Sequence, residues 1–212
     1  MVDQRLASGA RTRSALIQSS IGILMAEGDR AVTQRRVAER AGVSLASTTY
    51  HFRTVGDLFA ATFEEITRRT VGDLRAYAQD VLAGRTELVD AAVAFASRPP
   101  DGDAIAPDGT LRLFLAAAHR PELRPHCDAL VAAIAEVFQP FVGPPHRAAT
   151  LVRSFLGILL AEVARGPERD SARLRDDLDV LLVTFGVVES VARHRNTSTA
   201  PEHDETSEGV DP

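Results

Sequence analysis

Helical periodicity runs through almost all of this 212-residue sequence, and the alternation typical of β-strands is nearly absent. In the first segment, apolar residues recur at helical spacing until Gly28, a plausible helix stop: Ile17, Ile21, Leu24 and Met25. Thr33 is expected to cap a short helix that ends near Arg40, and Ser44 a second one that ends near His51. The pattern predicts an all-α fold with a three-helix head, a connecting helix and a larger helical body.

The body is predicted more coarsely. A long helix follows Val55, and further helices are expected at 86–96, 111–119, 125–138, 147–165 and 171–195. The segment 98–109 contains three prolines and two glycines and is predicted to be a loop. From residue 196 onward, the Thr, Ser, Glu and Asp composition predicts a disordered tail.

Composition restricts the environment of the chain. No stretch approaches the ~20 uninterrupted apolar residues of a membrane span, and the N-terminus lacks the apolar core of a signal peptide. The single cysteine, Cys127, rules out an internal disulfide and fits a reducing compartment. We therefore expect a globular cytoplasmic protein in which Cys127 is a packing residue.

Charge is distributed unevenly. The formal net charge is -5, yet residues 1–53 carry eight arginines against four acids. Residues 196–212 carry five acids and neither arginine nor lysine. A basic front and an acidic tail suit a chain that contacts phosphate at one end only.

Residues 33–52, TQRRVAERAGVSLASTTYHF, have the features of a helix-turn-helix. Val37 and Ala38 supply an inner face, and Gly42 can adopt the left-handed conformation at the turn. The exposed face of the second helix is expected to carry hydroxyls and ring donors and no carboxylate. Such a face can enter a DNA major groove without electrostatic repulsion.

This segment resembles the DNA-binding head of the TetR family of bacterial regulators, whose usual pattern is roughly T-x-x-x-I-A-x-x-A-G-V-S-x-x-x-x-Y-x-Y-F-x-x-K-x-x-L. The matching positions are Thr33, Val37, Ala38, Ala41, Gly42, Val43, Ser44, Phe52 and Leu58. The resemblance covers residues 11–70. It implies a helix-turn-helix DNA-binding domain at 10–70 and an effector-binding and dimerisation domain at 71–195, followed by the acidic tail at 196–212.

The resemblance also implies roles for individual residues. Thr33 and Gln34 would hydrogen-bond phosphate, and Arg35 would reach a guanine edge, although it could be only a solvated charge. Thr48 is expected to pack inward. The implied DNA-binding set is Thr33, Gln34, Arg35, Ser44, Leu45, Ala46, Ser47, Thr49, Tyr50 and His51, with Arg11 and Arg13 as possible backbone contacts. Tyr50 and His51 could instead cover the core.

Two positions depart from the family pattern. Thr49 replaces a frequent tyrosine, and Val55 replaces the lysine that usually clamps phosphate, so roughly one phosphate contact per subunit is expected to be lost. These changes bear on operator sequence and contact detail. Arg53 is a possible substitute for the missing lysine.

The last predicted helix suggests a homodimer. Apolar residues are spaced 4, 3, 4, 3, 4 at Leu174, Leu178, Leu181, Phe185, Val188 and Ala192, and a second stripe contains Val180, Val183, Val187 and Val191. A helix with two apolar faces must bury both, so one face is expected to meet a partner, unless a monomer buries both internally. The predicted interface residues are Leu151, Phe155, Leu178, Leu181, Phe185 and Val188. Two-fold symmetry would suit a palindromic operator.

The middle helices are expected to enclose an effector pocket. Its candidate lining residues, each of which could equally be core, are Phe63, Ile66, Tyr77, Phe95, Phe114, His119, Phe138 and Phe155. Lysine is absent from the chain and paired arginines are scarce in these helices, which favours a small neutral, apolar effector over a strongly anionic one. The function implied is a transcriptional regulator, by the family's habit a repressor that its effector releases from double-stranded operator DNA.

Two alternatives compete with this interpretation. An enzyme is disfavoured because the sequence has no nucleophile elbow, glycine-rich phosphate motif or HExxH motif, and we expect no catalytic residue, cofactor or metal. A helical interaction protein, whose head binds another protein, is disfavoured by the positive head and its acid-free face. Salt distinguishes the two kinds of head, because phosphate binding weakens steeply as salt rises.

Overall fold

The computed structural model describes residues 2–98, 107–166 and 170–198, and within these ranges the secondary structure is helical. Short 3-10 turns at Asp29–Ala31 and Pro121–Leu123 join longer elements. The α-helices are α1 (Val2–Glu27), α2 (Gln34–Ala41), α3 (Leu45–His51), α4 (Val55–Leu82), α5 (Leu88–Ser97), α6 (Pro107–His119), α7 (Arg124–Val142), α8 (Pro145–Ala164), α9 (Ser171–Thr184) and α10 (Val187–Ser198). The predicted all-α fold is confirmed. No helix in the described part of the chain is long and apolar enough to cross a membrane.

Local hydrogen bonds fix the ends of α2 and α3. The Thr33 hydroxyl accepts from the Arg36 amide at 3.2 Å, and the Ser44 hydroxyl accepts from the Ser47 amide at 3.1 Å. Gly42 ends α2 with φ 66°, the left-handed conformation that glycine adopts without steric cost. Both predicted caps and the predicted turn are therefore confirmed.

The core of the head lies between α1 and α4. Leu16, Leu24, Leu58 and Phe59 are almost completely buried there. The Thr62 hydroxyl, also buried, donates to the Leu58 carbonyl at 2.7 Å and lies 2.9 Å from the Ser20 hydroxyl. The two helices thus meet through apolar packing with a satisfied polar pair inside it.

Helix α4 belongs to both the head and the body. It begins at a capping box in which Thr54 and Asp57 each bond the other's backbone amide, and it continues without a break to Leu82. The predicted boundary between residues 70 and 71 therefore falls inside one continuous helix. A change at the body end of α4 can reach the head through a rigid element.

A second connection joins the head to the body near the 3-10 turn that follows α1. The Arg120 guanidinium pairs with Asp29 at 3.0 Å and lies 4.9 Å from the centroid of the Phe59 ring. Nearby, Gly109 of α6 is so close to Met25 that a Cβ at this position would collide with the Met25 sulfur. A larger residue at position 109 would require the flexible Met25 side chain to move.

Three predicted boundaries are wrong. Helix α6 begins at Pro107, inside the predicted loop 98–109, because proline in a first helical turn loses no needed amide bond. The predicted single helix 171–195 is two helices, since Gly186 has φ 74° and ends the first. Helix α10 continues to Ser198, so residues 196–198 are helical and do not belong to the predicted disordered tail. Residues 199–212 lie outside the described part of the chain, and their predicted disorder stays a prediction.

Candidate DNA-binding surface and ligand cavity

Helix α3 presents an apolar and aromatic face to solvent. Tyr50 is 83% exposed and Leu45 48%, and Ala46 and Thr49 are also exposed. The Tyr50 and His51 rings pack edge to face with centroids 5.2 Å apart. No residue of α3 is acidic. An uncovered tyrosine and leucine without a neighbouring carboxylate on their helix suit contact with a polyanion.

The hydroxyls of this region already bond within the head. The Thr49 hydroxyl lies 3.1 Å from the Leu45 carbonyl and 3.0 Å from the Ala46 carbonyl, so its oxygen remains free only to accept. Ser47 is half-buried, and Thr48 is fully buried, as expected from the sequence. His51 is half-buried and lies beside Gly9 of α1.

Neighbouring residues at the start of α2 have different surroundings. Thr33 is exposed, and Arg35 has a side chain 83% exposed that pairs with Glu39 at 3.1 Å. Gln34 instead donates its side-chain amide to the Phe52 carbonyl at 2.7 Å, holding the end of α3 against α2. The sequence offered no signal for this contact, because donor and acceptor are 18 residues apart.

Two further positions border the α3 face. The Arg13 guanidinium lies 5.3 Å from the centroid of the Phe52 ring, which keeps it on the head surface, and Arg11 is exposed. Val55, at the position of the family's usual lysine, is half-buried against the core. Arg53 is exposed close by in sequence.

An apolar cavity of about 100 Å³ lies in the body between α4, α5, α6, α7, α8, α9 and α10. Four of the eight predicted pocket residues line it: Tyr77, Phe95, Phe138 and Phe155. The other four do not. Phe63 and Ile66 are buried in the main core, Phe114 is half-buried, and His119 is exposed.

Some residues that line the cavity were missed by the sequence analysis. Phe141, Val187 and Val191 all contribute to its wall. Val187 and Val191 do so because the break at Gly186 turns α10 back toward α4 and α7. A single straight helix would have carried them elsewhere.

The predicted dimer residues lie mainly inside the protomer. Leu151, Phe155, Leu178 and Leu181 line the cavity, so they pack against their own domain. Phe185 and Val188 are half-buried, and the Arg147 guanidinium lies 5.5 Å from the Phe185 ring centroid. Four of the six predicted interface residues therefore face the interior of the protomer, and the dimer interface itself stays a prediction.

A different set of apolar residues on α8 and α9 faces solvent. Leu160 is 50% exposed, Val180 65% and Val183 48%. Gly157 and Ala161, one turn apart on α8, are exposed on the same side as Leu160. These five residues are called the α8–α9 face below.

The described part of the chain contains potential metal ligands and the one cysteine. No group of three or more His, Cys, Asp or Glu among them could hold a metal ion. Burial, with Asp128 adding to it, raises the pKa of the Cys127 thiol to about 11, and its sulfur lies 3.7 Å from the Leu113 carbonyl. A buried protonated thiol is a packing group, as the sequence analysis expected.

The structure is similar to that of the multidrug binding protein EbrR complexed with imidazole, with a TM-score of 0.64 and 25% identity over 80% of this chain and 93% of EbrR. It is similar to a TetR-family member from Streptomyces coelicolor, with a TM-score of 0.63 and 26% identity over 80% of this chain and 97% of that one. These similarities confirm the resemblance to TetR-family regulators that the sequence predicts. No family model matches it.

A curated relative of this chain is an HTH-type transcriptional regulator of Mycobacterium tuberculosis, 32% identical over 77 residues. The alignment covers 36% of this chain and 40% of that regulator, so it spans less than half of the relative's length. The match to an HTH-type regulator agrees with the helix-turn-helix fold that the sequence predicts.

Proposed function

We propose that this protein is a TetR-type, sequence-specific DNA-binding transcriptional regulator of the cytoplasm that represses until a small apolar effector releases it from its operator. The carboxylate-free, solvent-exposed face of α3 is the observation that carries the proposal. Tyr50 and Leu45 would contact base edges and thymine methyls, and Arg35, at the start of α2, would reach a guanine edge. Thr33 and the free first-turn amides of α2 would bind phosphate.

The protein would act as a homodimer. The α8–α9 face exposes Leu160, Val180 and Val183 next to small residues that permit close helix approach. Two copies of this face would form a four-helix interface and place two α3 helices on a palindromic operator. This proposed interface consists of the α8–α9 face, which is exposed in the protomer, and not of the apolar stripe predicted from the sequence, most of which faces the cavity.

The cavity would bind the effector. Its wall is almost entirely apolar, and α4 runs from this wall to the capping box beside α3. A ligand that prefers the conformation with displaced heads would lower operator affinity by its differential binding to the two conformations. EbrR, with a similar fold, is described in complexes with proflavin, ethidium and malachite green.

The test starts from a random-sequence duplex library. Selection with the full chain is expected to enrich an inverted repeat, whose affinity is then measured by fluorescence anisotropy at two salt concentrations with unrelated DNA as competitor. Tyr50→Ala combined with Arg35→Ala should lower affinity for the selected site at least tenfold while leaving the fold intact. Arg85→Ala is the matched control, since Arg85 is also an exposed arginine paired with a nearby carboxylate, Asp80, but lies in the body.

The control should bind the selected site like the parent protein. Recovery of no common sequence, or binding that ignores salt, would contradict the proposal. In that case the exposed α3 face would fit a protein partner better than DNA.

A further inference from the structure

We infer that the ligand of the cavity is an uncharged molecule the size of a single aromatic ring, held by one hydrogen bond to the hydroxyl of Thr70. This inference rests on the proposed effector function and specifies the chemistry of its ligand. The inference rests on the Thr70 hydroxyl. Thr70 is only 2% exposed, and its hydroxyl has no hydrogen-bond partner in the described structure.

Two buried threonines on α4 show why Thr70 is unusual. Thr62 is equally buried, and its hydroxyl donates to the Leu58 carbonyl one turn earlier. Thr70 lines the cavity and lacks an equivalent bond. Buried hydroxyls in native proteins nearly always have partners. The Thr70 oxygen has almost no accessible surface in the empty cavity, so we expect a ligand atom to bond it after a small movement of the wall.

The charge of the wall excludes ionic ligands. The residues that line the cavity include no Asp, Glu, Lys, Arg or His within the described ranges. A buried ion without a counter-charge is costly, whether it is a cation or an anion. The wall therefore selects a neutral molecule.

A cation is disfavoured for a second reason. Phe95 lines the cavity, and the Arg98 guanidinium lies 4.4 Å from the centroid of its ring. Arg98 is itself paired with Asp73 at 2.7 Å, so that carboxylate is already engaged. A cationic ligand stacked on Phe95 would find the ring shared with an arginine, which weakens the attraction that aromatic walls offer to cations.

Ring packing and size define the rest of the ligand. Phe95 packs edge to face on Tyr77 with centroids 5.9 Å apart and lies 6.0 Å from Phe155, so three rings form one side of the cavity. The cavity volume is about 100 Å³, whereas an apolar protein cavity of about 150 Å³ binds benzene. A single ring bearing one carbonyl is therefore the largest ligand that these walls admit, and it enters only with a small outward movement of the wall.

The experiment compares three probes of similar shape by isothermal titration calorimetry with the full chain: acetophenone, cumene and phenyltrimethylammonium. Acetophenone supplies a carbonyl, cumene replaces it with a methyl group, and the third probe carries a positive charge. Acetophenone and cumene are expected to bind, and phenyltrimethylammonium is expected not to. Thr70→Val should weaken acetophenone about three- to tenfold and change cumene less than twofold.

Thr62→Val is the matched control, because its hydroxyl is bonded within the protein and does not line the cavity. It should leave both affinities unchanged, and thermal melts establish that each variant folds. The inference is overturned if phenyltrimethylammonium binds as tightly as acetophenone, if Thr70→Val leaves acetophenone affinity unchanged, or if no probe binds.

Operator binding, measured in the same preparations, separates this inference from the proposed function. A chain that recognises its selected DNA site but fails the probe test contradicts only the ligand chemistry. A chain that passes the probe test but recognises no DNA sequence contradicts the regulator function and leaves the cavity assignment standing.

Discussion

Gln34 and Arg35 are adjacent in sequence and serve different purposes. Gln34→Ala removes the bond to the Phe52 carbonyl and should lower the free energy of unfolding by about 1 kcal/mol. Arg35→Ala breaks only an exposed ion pair with Glu39 and should change the free energy of unfolding by less than about 0.5 kcal/mol. Urea denaturation of both variants measures the difference.

Operator affinity should show the opposite order, with the larger loss in Arg35→Ala and the smaller loss in Gln34→Ala. Arg35→Ala is expected to weaken binding and relax preference at one base pair, at a cost of about 1–3 kcal/mol if the arginine reads guanine. Equal stability losses in the two variants, or an Arg35→Ala protein that binds normally, would show that these roles are misassigned.

The sequence predicts the contacts of some residues in the head and not of others, depending on how far away in sequence the partner lies. Thr33 and Ser44 were predictable as caps because each bonds an amide three residues ahead. Thr48 was predictable as an inward residue because the family pattern fixes that position. Gln34 was not, since its acceptor depends on how α2 packs on the end of α3.

Glu65 lies on α4, and its ion pairs make the free energy of unfolding depend on pH. The hydrogen bond from Arg68 is the largest cause that lowers the pKa of Glu65 from 4.5 to about 2; burial opposes it, and Arg69 adds to the lowering. A carboxyl with a lowered folded-state pKa contributes stability above its unfolded pKa, and that contribution is lost as pH falls toward the folded value.

Glu65→Gln should therefore be less stable than the parent at pH 7, and the gap should close as pH falls from about 4.5 to about 2. Denaturation curves across this range test the prediction. Glu64→Gln, an exposed neighbour outside these ion pairs, is the control and should show a much smaller gap. A gap for Glu65→Gln that persists unchanged at pH 2 contradicts the ionic origin.

At the scale of elements, Gly186 decides the course of the last two helices. Its φ of 74° is unfavourable for residues with a Cβ, so Gly186→Ala should lower the free energy of unfolding by about 1–2 kcal/mol. Gly72→Ala, inside α4 with open space around a new Cβ, should instead raise it by roughly 0.5–1 kcal/mol. Thermal or urea denaturation gives both signs, and equal effects would contradict the proposed strain.

The break at Gly186 was missed for a physical reason. Leu174 to Val188 repeat at helical spacing straight through it, and the repeat records only that each residue is apolar. The two halves pack on different neighbours: α9 lies against α5 and α8, and α10 lies against α4 and α7. Periodicity predicts that helices exist, and tertiary contacts decide where one ends.

At the scale of the molecule, hydrophobic periodicity likewise does not tell which apolar residues form the dimer interface and which line the cavity. The sequence identified apolar stripes on the predicted helices 147–165 and 171–195 but could not assign each stripe to the inside or the outside. Leu178 is fully buried at the cavity and Val180, two residues later, is 65% exposed. That assignment requires the arrangement of all the body helices, and it moves the proposed interface to the α8–α9 face.

Val180→Asp tests this interface. Val180 is mainly exposed in the protomer, so folding should change by less than about 0.5 kcal/mol. In a symmetric dimer the substitution would bury two unpaired carboxylates, and the dimer dissociation constant should rise by about two orders of magnitude. Sedimentation equilibrium measures the dissociation constant, and anisotropy on the selected inverted repeat should show weaker binding than for the parent.

Leu115→Asp is the matched control, because Leu115 on α6 is 58% exposed and lies outside the α8–α9 face. It introduces the same charge and should leave both the dimer and operator affinity intact. If Val180→Asp dimerises like the parent while Leu115→Asp dissociates, the partner contacts α6, and the separation of the two α3 helices on DNA is then set by a different two-fold axis. If both variants remain dimeric, each apolar patch is solvent-exposed in the dimer as well, because an interface that buried either would have to desolvate an unpaired carboxylate.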